Sequence, residues 1–129
     1  MGEHTATGSS ILLVDDEPPV LSMLRAVLES EGHAVTTATS AADARKKLLG
    51  HQYDVVVTDM RMETEAAGFE VVRAARLKPE SPAIIILTAY PLAEEQWREV
   101  GADAGMMKGT PIQQFTAVVR QLLVARQPR

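Results

Sequence analysis

Val55, Val56 and Val57 stand in a row and lead directly into Thr58, Asp59 and Met60. An aliphatic run without polar alternation suits a strand that is covered on both faces. A second run, Ile84 to Leu87, ends in Thr88. Two such strands in a chain of 129 residues leave few folds open. A sheet buried on both faces needs helices on both, and parallel neighbours need long crossovers between them.

The rest of the chain supplies those crossovers. Ile11 to Val14 is a first short apolar burst that runs into Asp15, Asp16 and Glu17. Pro18 and Pro19 follow and suit a first helical turn, where a missing N–H costs nothing. Val20, Leu21, Leu24, Val27 and Leu28 then share one helical face, and Gly32 stops the helix. His33 to Ala38 reads as a weaker strand, and therefore an edge. Ser40 caps a helix whose inward side is Ala41, Ala44 and Leu48, ended by Gly50.

After the valine strand comes a polar loop, Arg61 to Ala67. A helix from about Gly68 turns Val71, Val72 and Ala75 inward and stops at Lys78-Pro79. The isoleucine strand is followed by Ala89, Tyr90 and a short helix that Gly101 closes. Ala104 to Met107 is a brief last strand ending at Lys108. Thr110-Pro111-Ile112-Gln113 reads as a capping box with proline at the first helical position. The final helix buries Ile112, Phe115, Val118, Val119 and Leu122. Strand followed by helix, five times over, predicts an α/β fold with a five-stranded parallel sheet between two helical layers.

Residues 1–9 are small, polar and patternless, and read as a disordered lead; residues 10–127 read as one domain. Cysteine is absent, which excludes disulfides and thiolate metal sites. The net charge of −4 argues against nucleic acid as a direct ligand. No run reaches membrane-spanning length and no signal-peptide core is visible, so a cytoplasmic protein without membrane contact is the expectation. His4, His33 and His51 lack ligand spacing and read as surface or turn residues.

The residues that carry chemistry fall at strand ends: Asp15-Asp16, Asp59, Thr88 and Lys108. In a parallel sheet these ends share one rim, where ligands collect. Carboxylates gathered there repel, by about 4 kcal/mol for a pair at ~4 Å and an effective dielectric of ~20. Lys108 offers one counter-charge and a divalent cation would offer more. All-oxygen ligands suit magnesium.

The stretches ILLVDDEP, YDVVVTDM, AIIILTAY and GAD with the later Lys108 closely resemble the receiver domain of two-component response regulators. The resemblance runs from about residue 10 to 126. It implies a doubly wound, flavodoxin-like (βα)5 fold with strand order 2-1-3-4-5. It implies that Asp59 is the phosphoacceptor for phosphohistidine on a histidine kinase or phosphotransfer protein. It further implies Mg2+ held directly by Asp16 and Asp59, by Asp15 through water or a hydrogen bond, and by the backbone carbonyl of Arg61. Lys108 would pair with the phosphoryl oxygens, and Thr88 would bring its hydroxyl to them. Such a domain is not an enzyme beyond its own phosphotransfer and dephosphorylation. It would act on a downstream protein target as a monomer or weak homodimer. A degenerate receiver, binding protein without regard to phosphorylation, is the alternative. An aspartate-nucleophile phosphatase is disfavoured, because Arg61 stands where its second aspartate would be.

This chain departs from the resemblance in four places. Gly109 replaces the proline after the lysine, so a looser loop is expected there. Gly105 replaces an aromatic residue, leaving Tyr90 and Trp97 as candidates for its role. The loop after Asp59 is one residue longer and brings the charges of Glu63 and Glu65 towards the site. The segment from Tyr90 to Gly101 is short, which predicts a truncated helix. Arg61 and Tyr90 each follow a site residue by two positions, and their bulk is expected to shield a phosphoryl group from water.

Overall fold

The structure, a computed structural model, describes residues 8–90 and 92–126. Ten elements alternate in chain order: β1 (Ser10–Val14), α1 (Pro18–Ser30), β2 (Ala34–Ala38), α2 (Ala41–Gly50), β3 (Val55–Thr58), α3 (Ala67–Arg76), β4 (Ala83–Thr88), α4 (Glu94–Val100), β5 (Ala104–Met107) and α5 (Ile112–Arg126). The strands form one sheet in the order β2-β1-β3-β4-β5. Every pairing is parallel, with Val14 opposite Thr58 and Thr88 opposite Met107. The sheet and its order agree with the doubly wound, flavodoxin-like expectation, and the weak strand β2 is an edge.

The unbroken aliphatic rows are explained by two cores. Successive residues of a strand point to opposite faces. Leu12, Val14, Val56, Ile84 and Ile86 pack on one side with Ala44 and Leu48 of α2 and Val71, Val72 and Ala75 of α3. Ile11, Leu13, Val55, Val57, Ile85 and Leu87 pack on the other with Leu21, Leu24 and Leu28 of α1 and Phe115 and Val119 of α5. Polar residues in the centre of these strands would face apolar surroundings on either side, so the sequence has none there.

The structure corrects several local expectations. Residues 1–7 of the expected lead lie outside the described residues. The Gly8 N–H donates to the Gly32 carbonyl at 2.9 Å, and the Ser9 carbonyl accepts from the Ala34 N–H at 2.9 Å. Residues 8 and 9 therefore continue the contact between β1 and β2. His33 is not a surface residue: it is 8% exposed, and its Nδ1 has no hydrogen-bond partner. Gly32, with φ of 95°, turns the chain inward just before it. Helix α5 begins at Ile112, so Pro111 precedes it. The Thr110 hydroxyl donates to the Met107 carbonyl at 2.6 Å, closing the turn after β5. Among the described residues, no helix is long and apolar enough to cross a membrane.

Candidate functional site

The backbone ladder runs past the strand ends and fixes what meets at the rim. The Asp15 N–H donates to the Ala38 carbonyl at 3.1 Å, and the Asp59 N–H to the Val14 carbonyl at 2.8 Å. These bonds set Asp59 beside the end of β1. On the other side of β3, the Lys108 N–H donates to the Thr88 carbonyl at 2.7 Å. Asp15 and Asp59 are both buried, whereas Asp16 and Glu17 are exposed.

Lys108 joins the halves of the rim. Its Nζ lies 2.8 Å from Asp15, 3.0 Å from Asp59 and 3.1 Å from Glu17. Burial would lower the pKa of this amine, but its bonds to Asp15, Asp59 and Glu17 prevail and hold it above the ordinary lysine value. Asp59 is shifted upward. Burial is the main cause and the Asp15 charge adds to it, against the opposing pull of Lys108 and the Met60 N–H. That N–H donates to Asp59 Oδ1 at 2.7 Å. The phosphoacceptor candidate is thus a carboxylate with one oxygen on the backbone and the other on an ammonium.

Asp15, Asp16, Glu17 and Asp59 each place a ligand atom within 4.8 Å of the others. An all-oxygen set of this kind, partly open to water, fits a magnesium ion that keeps several waters. Glu17 was not expected among the donors. The Asp15-Asp16-Glu17 run at a strand end was its signal, but an acidic turn before a helix reads equally as a cap. Glu17 occupies the N-cap position of α1 but its side chain makes no capping bond there; its N–H donates to Asp15 Oδ1 at 2.9 Å, which closes the acidic turn.

Thr88 is buried at the same rim, where its Oγ1 accepts from the Tyr90 N–H at 3.2 Å. Arg61, whose carbonyl was expected to serve the metal, extends its guanidinium over the Tyr90 ring, 4.0 Å from the centroid. The two residues bridge the loops that follow β3 and β4. Glu63 does not add its charge to the site as expected. It turns to the start of α2, where its carboxylate accepts from the N–H groups of Ala41 and Ala42 at 2.9 and 3.2 Å. Helix N-termini hold unpaired donors and a positive dipole end, and this attracts the side chain.

The replaced positions have local causes. Gly109 takes φ of 91° in a turn where the Thr110 N–H donates to the Met107 carbonyl at 3.1 Å. Proline, held near φ of about −65°, could not adopt it. That bond closes the turn. Gly105 lies under the indole of Trp97: a Cβ there would sit 2.6 Å from Nε1 and 2.9 Å from Cγ. Of the two candidates for the missing aromatic, Trp97 is therefore the one that fills this space. Its helix, α4, is short as expected, at 7 residues.

Comparison with known proteins agrees with this arrangement. The family profile described as the response regulator receiver domain matches residues 11–120. Transcriptional regulatory protein ResD of Bacillus subtilis (strain 168) is 39% identical over 97 residues, covering 75% of this chain and 39% of its own length. Transcriptional regulatory protein GlrR of Escherichia coli (strain K12) is 40% identical over 81 residues, covering 62% of this chain and 18% of its own length. The chain thus spans less than half the length of these curated relatives. Response regulator protein TrrA of Thermotoga maritima, solved in complex with Mg2+-BeF, superposes with a TM-score of 0.79 at 32% identity, covering 88% of this chain and 98% of that one. A response regulator receiver protein from Sinorhizobium medicae WSM419 gives a TM-score of 0.80 at 32% identity, covering 95% and 100%.

Proposed function

This chain belongs to the response regulator receiver domain family, and from that premise we propose that it is a phosphoacceptor signalling domain modified on Asp59. The observation that carries the reading is the position of Lys108, whose amine touches both Asp15 and Asp59. Acids from β1 and β3 and a cation from β5 meet at one point, and phosphoryl transfer needs that kind of electrostatic setting.

In the proposed reaction an Asp59 oxygen attacks the phosphorus of phosphohistidine on a kinase or phosphotransfer protein. The P–N bond breaks, an acyl phosphate O–P bond forms, and the imidazole nitrogen leaves and takes a proton. Asp15, Asp16, Asp59 and the Arg61 carbonyl would hold Mg2+, with Glu17 near enough to help. When bound, the cation neutralises charge on the phosphoryl oxygens. Lys108 holds Asp59 in place before transfer and contributes a second positive charge beside it. Thr88 supplies a hydroxyl at the same rim for the product. The domain itself turns over no external substrate in this scheme.

The added phosphoryl group carries about −1.5 to −2 charges at neutral pH, enough to bias the loops around it. Output would pass by protein contact, and the domain's net charge of −4 favours proteins over nucleic acid as its own partners. Incubation with acetyl phosphate and Mg2+ should add one phosphoryl group by intact mass, and Asp59→Asn should abolish it. An unmodified mass for the wild-type protein would count decisively against the reading.

A further inference from the structure

The loop between β3 and α3 carries Asp59 at its start and Arg61 shortly after. Its internal backbone bonds are few: the Met62 N–H donates to the Thr64 carbonyl at 3.0 Å, the Ala67 N–H to the same carbonyl at 3.4 Å, and the Gly68 N–H to the Met60 carbonyl at 2.8 Å. Arg61 stacks on Tyr90 and Met62 packs against the core, and Glu63 ties the loop to the start of α2. Glu63 places its two carboxylate oxygens on consecutive N–H groups of α2, Ala41 at 2.9 Å and Ala42 at 3.2 Å.

The partner is a firm anchor. Ala41, Ala44 and Leu48 of α2 are buried in the core. Ser40 takes the third free donor, with its Oγ accepting from the Asp43 N–H at 3.0 Å. Glu63 therefore takes the donors that the helix's own cap leaves open. Two charge-assisted bonds in a fork fix an orientation as well as a distance. A loop one residue longer than usual has more conformations to lose, and a forked tether removes them.

We propose that Glu63 is a positioning residue for the phosphoacceptor site: its clasp on the start of α2 holds the loop that carries the Arg61 carbonyl, the backbone ligand that the receiver reading assigns to the cation. The inference rests on the receiver reading for the identity of that cation as Mg2+. Glu63 touches neither cation nor phosphoryl group and acts through the backbone of residues 60–64.

The test compares wild type, Glu63→Ala, Glu63→Gln and Ser40→Ala in the full chain. Amide exchange is followed without metal, and Mg2+ binding is followed by calorimetry. Glu63→Ala should speed exchange across Met60 to Thr64 and weaken Mg2+ roughly tenfold, the lower end for partners that orient metal ligands. Glu63→Gln keeps one acceptor oxygen and should fall between. Ser40→Ala loosens the same helix end but should leave loop exchange and Mg2+ binding at wild-type values. Equal effects of Ser40→Ala and Glu63→Ala on the loop would overturn the proposal, because the clasp would then only stabilise α2. Unchanged loop exchange in Glu63→Ala would overturn it as well. A wild-type protein that takes up no Mg2+ sinks the receiver reading separately, and the metal-free exchange measurement still decides whether Glu63 holds the loop.

Discussion

The indole of Trp97 covers Gly105 so closely that even a methyl group on that glycine would press into the ring. Register places Gly105 opposite Ile86, two residues before Thr88 on β4. Side chains two apart on a strand share a face. Trp97 thus sits over the same side of the sheet as Thr88, and it reaches there from α4, not from β5.

Gly105→Ala should destabilise the domain by about 1–3 kcal/mol, the usual cost of overpacking. The double variant Gly105→Ala/Trp97→Ala should lose less than the sum of the two single changes, because the clash needs both partners. Urea denaturation of the four proteins measures the coupling, and strict additivity would show that the two residues do not press on each other. Trp97 is the chain's single tryptophan, so its emission reports this face directly. Beryllofluoride with Mg2+ should change that emission in wild type and leave Asp59→Asn unchanged.

Arg61 and Tyr90 stack between the loops that follow β3 and β4 and should slow hydrolysis of a phosphoryl group on Asp59. An exposed cation–π pair contributes roughly 0.5–1 kcal/mol, so losing it should raise the decay rate roughly two- to fivefold. Arg61→Ala/Tyr90→Ala, followed by intact mass after removal of phosphodonor, gives the half-life. A half-life equal to that of wild type would rule out shielding by this pair.

Asp59 is held above the ordinary carboxylate range, chiefly by burial. A raised folded-state pKa means that protonation favours the folded protein. Its contribution is fully present below the unfolded carboxylate pKa and is lost as pH rises through the folded value. At neutral pH the ionised form therefore costs stability. Without metal, Asp59→Asn should melt a few degrees higher than wild type at pH 7, and the difference should vanish in acid. Mg2+ should reverse the order, since ten times its Kd adds about 1.4 kcal/mol to the form that binds it. Calorimetric scans with and without Mg2+ would show both effects.

His33 behaves in the opposite sense. Burial lowers its pKa, against weaker pulls from Glu31 and Asp54. A depressed folded-state pKa gives stability that is present above the unfolded value of 6.5 and is lost as pH falls through the folded one. His33→Gln should flatten the stability profile below pH 6.5 while leaving the acid limb from the carboxylates. Chemical denaturation at a series of pH values checks it, and an unchanged slope would point to other groups.

Much of this fold is written in its aliphatic rows. Val55 to Val57 and Ile84 to Ile86 fill both faces of the sheet, which few other architectures would require. The site was legible because its acids and its lysine sit at strand ends, where topology alone brings them together. Glu17 was harder to read, because an exposed acid before a helix is an ordinary cap. The reach of Glu63 to Ala41 joins side chain to backbone across 22 positions, and no local pattern records such a bond. Burial of His33 depends on how Gly32 turns the chain, and the fit of Trp97 over Gly105 depends on where α4 settles. Both follow from tertiary packing, which spacing does not encode.

Lys108 divides one positive charge among Asp15, Glu17 and Asp59. An ammonium has only three hydrogens to give. Each new anion that arrives at the rim must displace an old one. Glu17 is the most exposed of the three, so it would be the first to give way, and it stands immediately before α1. A phosphoryl group at the end of the third strand would therefore compete with Glu17 for one ammonium, and that competition would link the site to the entrance of the first helix.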